Sequence, residues 1–556
     1  MTDLSILLGG KAGDGIDRAG LLIARVLNRL NYRIYIYRDY PSLIRGGHTF
    51  SVIRASDRKI SAHPDKVDIL IALNQETLDL HKGRLKREAI VIYNSDMAKP
   101  DGMPGVSVSL GIPMEQMVKA SGGIDIMRNS CAIGALFRAI GVSWDILEGT
   151  ARKNMSKEAD LNLKIALNGY GSSKGALKIE TLPQGMLPIL TGSEAIGLGL
   201  VNGGLDTFIA YPMTPASPLL HFLAGIADDF SLKVIHPENE IAVMLMAAGS
   251  SYAGERVAVG TSGGGFCLMT EGLSLSGMAE LPVVIMVGQR PGPSTGLPTY
   301  TAQTELNFVL SAGQGEFPRL VVAPGDAEEA FSWSHIAMKM SMKYQIPSII
   351  LADKTLAEGV YSFDPDSIKE MPIEGPPSWD GTGEYGRYRD TASGVSPMVC
   401  PPRKDAVVKV NSYEHDEYGI TTEDPAMTVK MQDKRLRKGE SLSRELEGYE
   451  TVKVSGKTDS STILLCWGSN KGVCEETADR LGLKMVRPVV LGPFPVKRFL
   501  EAVKGAEKVI AVENNATGQL AGLAGCCGCR VDKLVLKYDG RPFSLDELEA
   551  RVRDLI

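Results

Sequence analysis

A chain of 556 residues, 44% hydrophobic and 23% charged, is too long for one core and points to about three domains of ordinary size. Its net charge of -6, from 60 basic and 66 acidic residues with no dense Lys/Arg tract, argues against a nucleic-acid partner. No apolar stretch approaches a membrane span, residues 1–10 lack the basic flank and cleavage site of a signal peptide, and the eight cysteines are too irregular for a disulfide framework, so a reducing cytoplasm is expected.

Residues 4–8 read as a buried strand, followed by a glycine loop and then by Ile16, Ala19, Ile23, Val26 and Leu30 at helical spacing. The loop, residues 9–15 (GGKAGDG), offers side-chain-free backbone at a helix N-terminus, with Lys11 adding charge. Gly10, Lys11, Gly13 and Gly15 are candidate contacts for a phosphate-bearing ligand. Their spacing reverses the dinucleotide fingerprint, although Asp39 follows a second strand where a ribose-binding acid would stand. A plain tight turn needs no ligand and stays open as the alternative. Apolar runs at 34–37, 67–73 and 89–93 alternate with polar or helical stretches, as in a doubly wound sheet, and this domain is expected to end near residue 175.

A Pro/Gly connector at 181–188 leads into a second α/β unit, residues 186–365. Its strands are expected at 207–210, 257–260, 281–287, 319–323 and 348–351, with helical patterns between most of them, so the sheet should be largely parallel. Residues 211–217 (YPMTPAS) leave the first of these strands, where a parallel sheet forms its ligand crevice, and two prolines stiffen the loop around Thr214. Glu240, in HPENE (236–240), opens a small-residue helix. Read alone, it is an acid complementing the helix dipole. Arg290, in QRPGPSTGLPT, stands just past a buried strand; a guanidinium there suits a carboxylate, and a surface Arg is the alternative.

Residues 260–264 (GTSGG) match a hydrolase nucleophile elbow, making a serine hydrolase built on Ser262 a rival reading. Its base would have to be His335 or His415, neither placed where such a base is expected. From 366 to 455 prolines, glycines and charges interrupt every apolar period, giving an irregular connector in which 427–447 is expected as an exposed helix. Residues 456–556 restore the alternation, with strands at 462–467, 484–490 and 508–512. Cys526, Cys527 and Cys529 match neither a CxxC pair nor a four-cysteine cluster pattern, and no metal site is expected in this chain. The fold class is therefore α/β in three domains.

Together these pieces resemble the 2-oxoacid:ferredoxin oxidoreductases. Residues 211–215 are similar to that family's YPITP loop, 290–299 (RPGPSTGLPT) to its RxGPSTGxPT segment, and 512–520 (VENNATGQL) to its VExNxTGQL run; GEFP at 315–318 and Asp353 also have counterparts, and 40–48 (YPSLIRGGH) is similar to a gamma domain fused at the N-terminus. Ala216 and Gly264 depart from the usual Ser and Pro. The resemblance implies an alpha subunit: a gamma-type domain over 1–175, a pyrimidine-type thiamine-diphosphate domain over 186–365, and a transketolase-C-terminal-like domain over 456–556.

It further implies that Glu240 bonds N1′ of the thiamine aminopyrimidine, with Tyr211 and Pro212 beside the cofactor, and that Thr214, Arg290 and Thr299 hold a 2-oxoacid. Oxidative decarboxylation would pass the acyl group to coenzyme A and two electrons, singly, through an iron–sulfur cluster to ferredoxin. The glycine loop at 9–15 would then serve coenzyme A. The metal-binding diphosphate module is usually GDG followed some 25–30 residues later by paired Asn; after Gly13-Asp14-Gly15, residues 38–48 contain no Asn. The Mg²⁺, the diphosphate grip and the [4Fe-4S] cluster are therefore expected on a beta subunit, in a heterodimer or a dimer of heterodimers. One Arg and two Thr recognise only the head common to 2-oxoacids, and the overall resemblance leans to 2-oxoglutarate. The remaining alternative is a non-catalytic nucleotide-binding scaffold using the first glycine loop.

Overall fold

The computed structural model describes residues 3–42, 46–154 and 158–556. The chain gathers into two compact units, 1–190 with 359–364 and 544–550, and 191–358 with 365–543 and 551–556. Three sheets divide between them.

The first unit holds an eight-stranded sheet. Asp3–Lys11 pairs parallel with Val67–Ala72 and antiparallel with His48–Ser56. The doubly wound expectation holds for half of this sheet: Val67–Ala72, Leu85–Asn94 and Val106–Ile112 run parallel, whereas Arg33–Asp39 and His48–Ser56 form an antiparallel ladder. Neither His48–Ser56 nor Val106–Ile112 contains the unbroken apolar run that marks a strand in a sequence. Two helices, Arg128–Ala139 and Ala159–Ser172, cross at bare backbone, Gly134 lying on the Ala166 carbonyl and Gly169 on that of Cys131. Of the run at 40–48, residues 43–45 lie outside the described residues.

The second unit carries the other two sheets. In the seven-stranded one, Lys233–Ile235, Thr207–Ala210, Val257–Ser262, Val283–Gln289, Pro347–Asp353 and Leu320–Val322 are successive parallel neighbours, with Val490–Gly492 antiparallel at the far edge. Val283–Gln289 and Pro347–Asp353 are buried along their whole length, as central strands covered on both faces must be, which is why they read as continuous apolar runs. Because the six are parallel, the loops that follow them emerge at one end of the sheet. The five-stranded sheet is built from Val452–Gly456, Lys484–Pro488, Thr462–Leu465, Lys508–Glu513 and Lys533–Leu536. The fold is α/β throughout.

The charged stretch at 427–447 is a helix, Pro425–Leu446, exposed along one face as expected but buried along the other. Asp424 caps it, and Lys434 and Lys438 are fully buried, both bonding the buried Glu280 carboxylate at 2.7 and 2.8 Å. Arg387, from the irregular connector, donates to the Glu280 carbonyl at 2.7 Å.

Candidate functional site

The site assembles at the C-terminal end of the parallel sheet, around the first turn of helix Gly263–Ala279. That turn begins with three glycines, and their missing side chains are filled by neighbours. A β-carbon on Gly263 would stand 2.5 Å from Glu305 Oε1, and one on Gly265 would stand 2.6 Å from Glu240 Oε1. One helix N-terminus thus separates two carboxylates.

Glu240 opens helix Glu240–Tyr252, whose start is fixed by Asn239 accepting the Ala242 N–H at 2.9 Å. An acid that merely complemented a dipole would be solvated. Glu240 is 3% exposed, and its Oε1 is buried without a hydrogen-bond partner. A buried acceptor in that state has its desolvation uncompensated until a donor arrives, so it suits a ligand N–H.

Arg290 follows Val283–Gln289 directly. Its Nη1 donates to the Thr214 carbonyl at 2.8 Å, joining two loops that lie 76 residues apart in sequence. Its Nε is buried without a partner, and burial lowers its pKa, opposed by the nearby Glu305 charge. Thr299 is buried with its Oγ1 also unpartnered, and Thr214 is half-buried. Tyr211 and Pro212 are exposed at the rim, with the Tyr211 ring 5.9 Å from that of His236. The structure therefore joins the Thr214 and Arg290 loops directly, and sets Glu240 and Glu305 on the two sides of the glycine turn.

Of the further participants, Glu305 and Gln303 carry no signal in the sequence, whereas Asp353 and Glu513 lie at positions that carry the family resemblance. Glu305 is buried, accepts the Thr304 hydroxyl at 2.9 Å, and leaves Oε2 without a partner; burial pushes its carboxyl up to about 7. Asp353 is pushed up to about 6 by burial and accepts the Ser469 hydroxyl at 2.5 Å. Gln303 ties the 290–303 loop to the five-stranded-sheet domain, accepting from Asn470 Nδ2 at 2.9 Å and the Asn514 N–H at 3.0 Å and donating to the Trp467 carbonyl at 2.9 Å. Glu513, in turn, accepts the N–H groups of Leu520 and Ala521 and the side chains of Trp467 and Asn515. The run at 512–520 is thus an anchor for the loop that carries Arg290 and Thr299.

The rival constellations fare differently. Ser262 is fully buried, and no hydrogen bond links it to a base; His335 Nδ1 pairs with Asn202 and His415 Nδ1 with the Tyr413 carbonyl. A nucleophile without a base or access gives the hydrolase reading no chemistry. In the first unit, Gly13 and Gly15 have φ of 98° and 73°, which only glycine adopts easily, and the loop closes on its own carboxylate: the Lys11 N–H donates to Asp14 Oδ2 at 2.8 Å, with Arg128 3.2 Å from Asp14 Oδ1. Asp39 accepts the Tyr37 hydroxyl at 2.9 Å. Among the described residues no group of three or more His, Cys, Asp or Glu is arranged to hold a metal ion, and no helix is long and apolar enough to cross a membrane.

Fold and site together define an α/β enzyme subunit whose ligand crevice lies at the end of a parallel sheet. The family model described as pyruvate flavodoxin/ferredoxin oxidoreductase, thiamine diP-binding, matches residues 199–434, and that for pyruvate ferredoxin/flavodoxin oxidoreductase matches residues 5–172. The 2-oxoacid:ferredoxin oxidoreductase subunit alpha of Saccharolobus solfataricus is 30% identical, over 100% of this chain and 98% of that protein. The 2-oxoglutarate oxidoreductase subunit KorA of Mycobacterium tuberculosis is 28% identical, over 100% and 91%. A solved 2-oxoglutarate:ferredoxin oxidoreductase from Magnetococcus marinus, with 2-oxoglutarate, coenzyme A and succinyl-CoA bound, matches with a TM-score of 0.91 and 29% identity, over 100% of this chain and 99% of that one. The chain belongs to the 2-oxoacid:ferredoxin oxidoreductases, as an alpha subunit.

Proposed function

We propose that this subunit supplies the aminopyrimidine half of a thiamine diphosphate site and the 2-oxoacid pocket beside it, for CoA-dependent oxidative decarboxylation of a 2-oxoacid to an acyl-CoA, carbon dioxide and reduced ferredoxin. The observation that carries this reading is the buried, unpartnered Oε1 of Glu240, which fits a protonated ring nitrogen as its missing donor. When bound, the thiamine group supplies the nucleophile and the electron sink for decarboxylation. Glu240 would hold the proton at N1′ of a bound aminopyrimidine, and the exposed Tyr211 and Pro212 would help to hold that group. Arg290 receives the 2-oxoacid carboxylate, and Thr214 and Thr299 offer hydroxyls to the 2-oxo head. Burial around Arg290 strengthens that attraction relative to water.

The partner in this reading is a beta subunit bearing the diphosphate grip, Mg²⁺ and the [4Fe-4S] cluster. The outer face of helix Glu240–Tyr252 supports it: beside Glu240, Ile241 and Leu245 are 47% and 48% exposed. The names of the relatives favour 2-oxoglutarate as substrate. Coenzyme A is assigned to the first unit, where a cavity of about 590 Å³ beside Gly15 is lined by Arg18, Arg25 and Asn129, with Gly10, Lys11 and Gly13 forming the adjacent turn. The divisions near 175, 186, 365 and 456 separate the gamma-type, pyrimidine-type, connector and C-terminal parts. Eight free thiols suit a reducing cytoplasm.

The test is a pair of variants in the reconstituted complex. Glu240→Gln should stop exchange of the thiamine C2 proton while the complex still assembles. Arg290→Ala should lower kcat/KM for the 2-oxoacid on the order of 100-fold, with C2 exchange retained. Normal exchange in the first variant, or unchanged 2-oxoacid kinetics in the second, would refute the role assigned to that residue.

A further inference from the structure

Glu305 has no part in the reading above, yet it is built into the same turn. Its Oε1 occupies the space a β-carbon on Gly263 would need, as Glu240 does at Gly265. Thr304 donates to Oε1, the Glu305 N–H donates to Gln289 Oε1 at 3.3 Å, and Oε2 is buried with no partner. Arg290 is the charged side chain that acts on it; the two form no direct ion pair, and Arg290 Nε is itself unpartnered. Across the turn, helix Gly263–Ala279 presents the bare backbone of Gly263 to Glu305. The Glu305 bond to Gln289 sets the acid against the residue that directly precedes Arg290, and each of these two buried side chains of opposite charge keeps an unbonded polar atom. An ordinary structural pair would have closed.

We propose that Glu305 is a positioning residue whose proton sets how strongly Arg290 attracts the carboxylate of a 2-oxoacid. Protonated, Glu305 leaves the guanidinium charge undivided for the incoming anion. Ionised, it competes for that charge and repels the substrate carboxylate in a site where screening is weak. By linkage, a bound 2-oxoacid must in turn hold the proton on Glu305 more tightly. The inference rests on Arg290 as the carboxylate-binding group. Its own content is that affinity for the 2-oxoacid falls with rising pH through a group buried outside the thiamine contact.

The experiment measures KM and kcat for the 2-oxoacid from about pH 6 to about pH 9 in the reconstituted wild type, Glu305→Gln and Arg290→Ala. Wild-type KM should rise on the order of tenfold across that range with kcat little changed, and Glu305→Gln should flatten the rise. A Glu305→Gln profile that follows the wild type, or an effect on kcat alone, overturns the proposal. Arg290→Ala separates the two readings: unchanged KM there sinks the Arg290 assignment itself, whereas raised KM there with a wild-type-like Glu305→Gln profile sinks only the role of Glu305. Infrared difference titration supplies a readout independent of turnover. A protonated-carboxyl band with a midpoint near 7, moved upward by bound 2-oxoacid and absent from Glu305→Gln, is expected. If Glu305→Gln does not assemble, the wild-type titration decides: no such band, or no shift on adding the 2-oxoacid, overturns the proposal.

Discussion

At Gly265 a single methyl group would be enough to displace the carboxylate proposed to act on the cofactor. A β-carbon there would press on Thr261 Oγ1 and on Glu240 Oε1, and Glu240 sits on a capped helix that cannot retreat without moving its own first turn. Gly265→Ala should therefore cost on the order of 100-fold in kcat, because ångström-scale misplacement of a reacting group costs that much, against only about 1–3 kcal/mol of stability for overpacking. Steady-state kinetics beside a denaturant melt of the same variant separates the two effects; equal losses in both would mean general unfolding. Much of the candidate site at this scale was legible: the proposed residues Glu240, Thr214, Arg290 and Thr299 lie in motifs whose loops follow recognisable strands. Glu305 was not, because an acid before the apolar run LNFVL reads as an ordinary helix-starting residue, and no periodicity distinguishes a solvated carboxylate from one folded under a glycine turn.

Among the elements, helix Pro425–Leu446 diverges furthest from its sequence. Its charges predict a solvated helix, and one face is solvated, but Lys434 and Lys438 point inward onto Glu280, with Arg387 alongside. Partners contributed from 154 and 158 residues away leave no local trace, so a charge-rich helix buried by ion pairing looks the same as an exposed one. The strands were easier, because continuous apolar runs mark burial on both faces. Three cations around one carboxylate hold Glu280 well below the usual carboxylate range, and burial pushes Lys438 down to about 7. Glu280→Gln should thus destabilise the protein by about 3–5 kcal/mol, since it strands buried cations. Lys438→Met should cost far less. A lysine with a folded pKa below its unfolded value binds fewer protons when folded, so its contribution to stability rises with pH from about 7 toward the unfolded value of 10.5 and is lost as pH falls through 7. Urea midpoints across that window should climb in the wild type and climb less in Lys438→Met; parallel slopes would show that Lys438 does not titrate there.

For the whole molecule, the question is what completes the site. Glu240 begins a helix whose next residue, Ile241, is already in solvent, and Leu245 one turn on and Leu268 on the neighbouring helix, 48% exposed, continue an apolar groove of about 1240 Å³ with Met244, Leu275 and Phe308. An exposed apolar face of this size next to a buried, unsatisfied carboxylate suits the shared cofactor site proposed above. The proposed beta subunit would cover this face, bringing the diphosphate grip against Glu240. Leu245→Glu adds a charge where a partner must exclude water but does not disturb the folded chain, because the native side chain is already half in solvent. The isolated variant should therefore melt within a degree or two of wild type, surface substitutions costing about 0.5 kcal/mol or less. Its affinity for the beta subunit should fall at least about tenfold, since burying an unpaired carboxylate in an apolar contact is strongly unfavourable. Activity should then recover at high beta-subunit concentration with kcat near wild type, because Glu240, Arg290 and Thr299 are untouched. Sedimentation of mixed subunits, titrated alongside turnover, tests this directly: undiminished association of Leu245→Glu would move the partner to another face, and a reduced kcat at saturating beta subunit would show that the helix shapes the site itself.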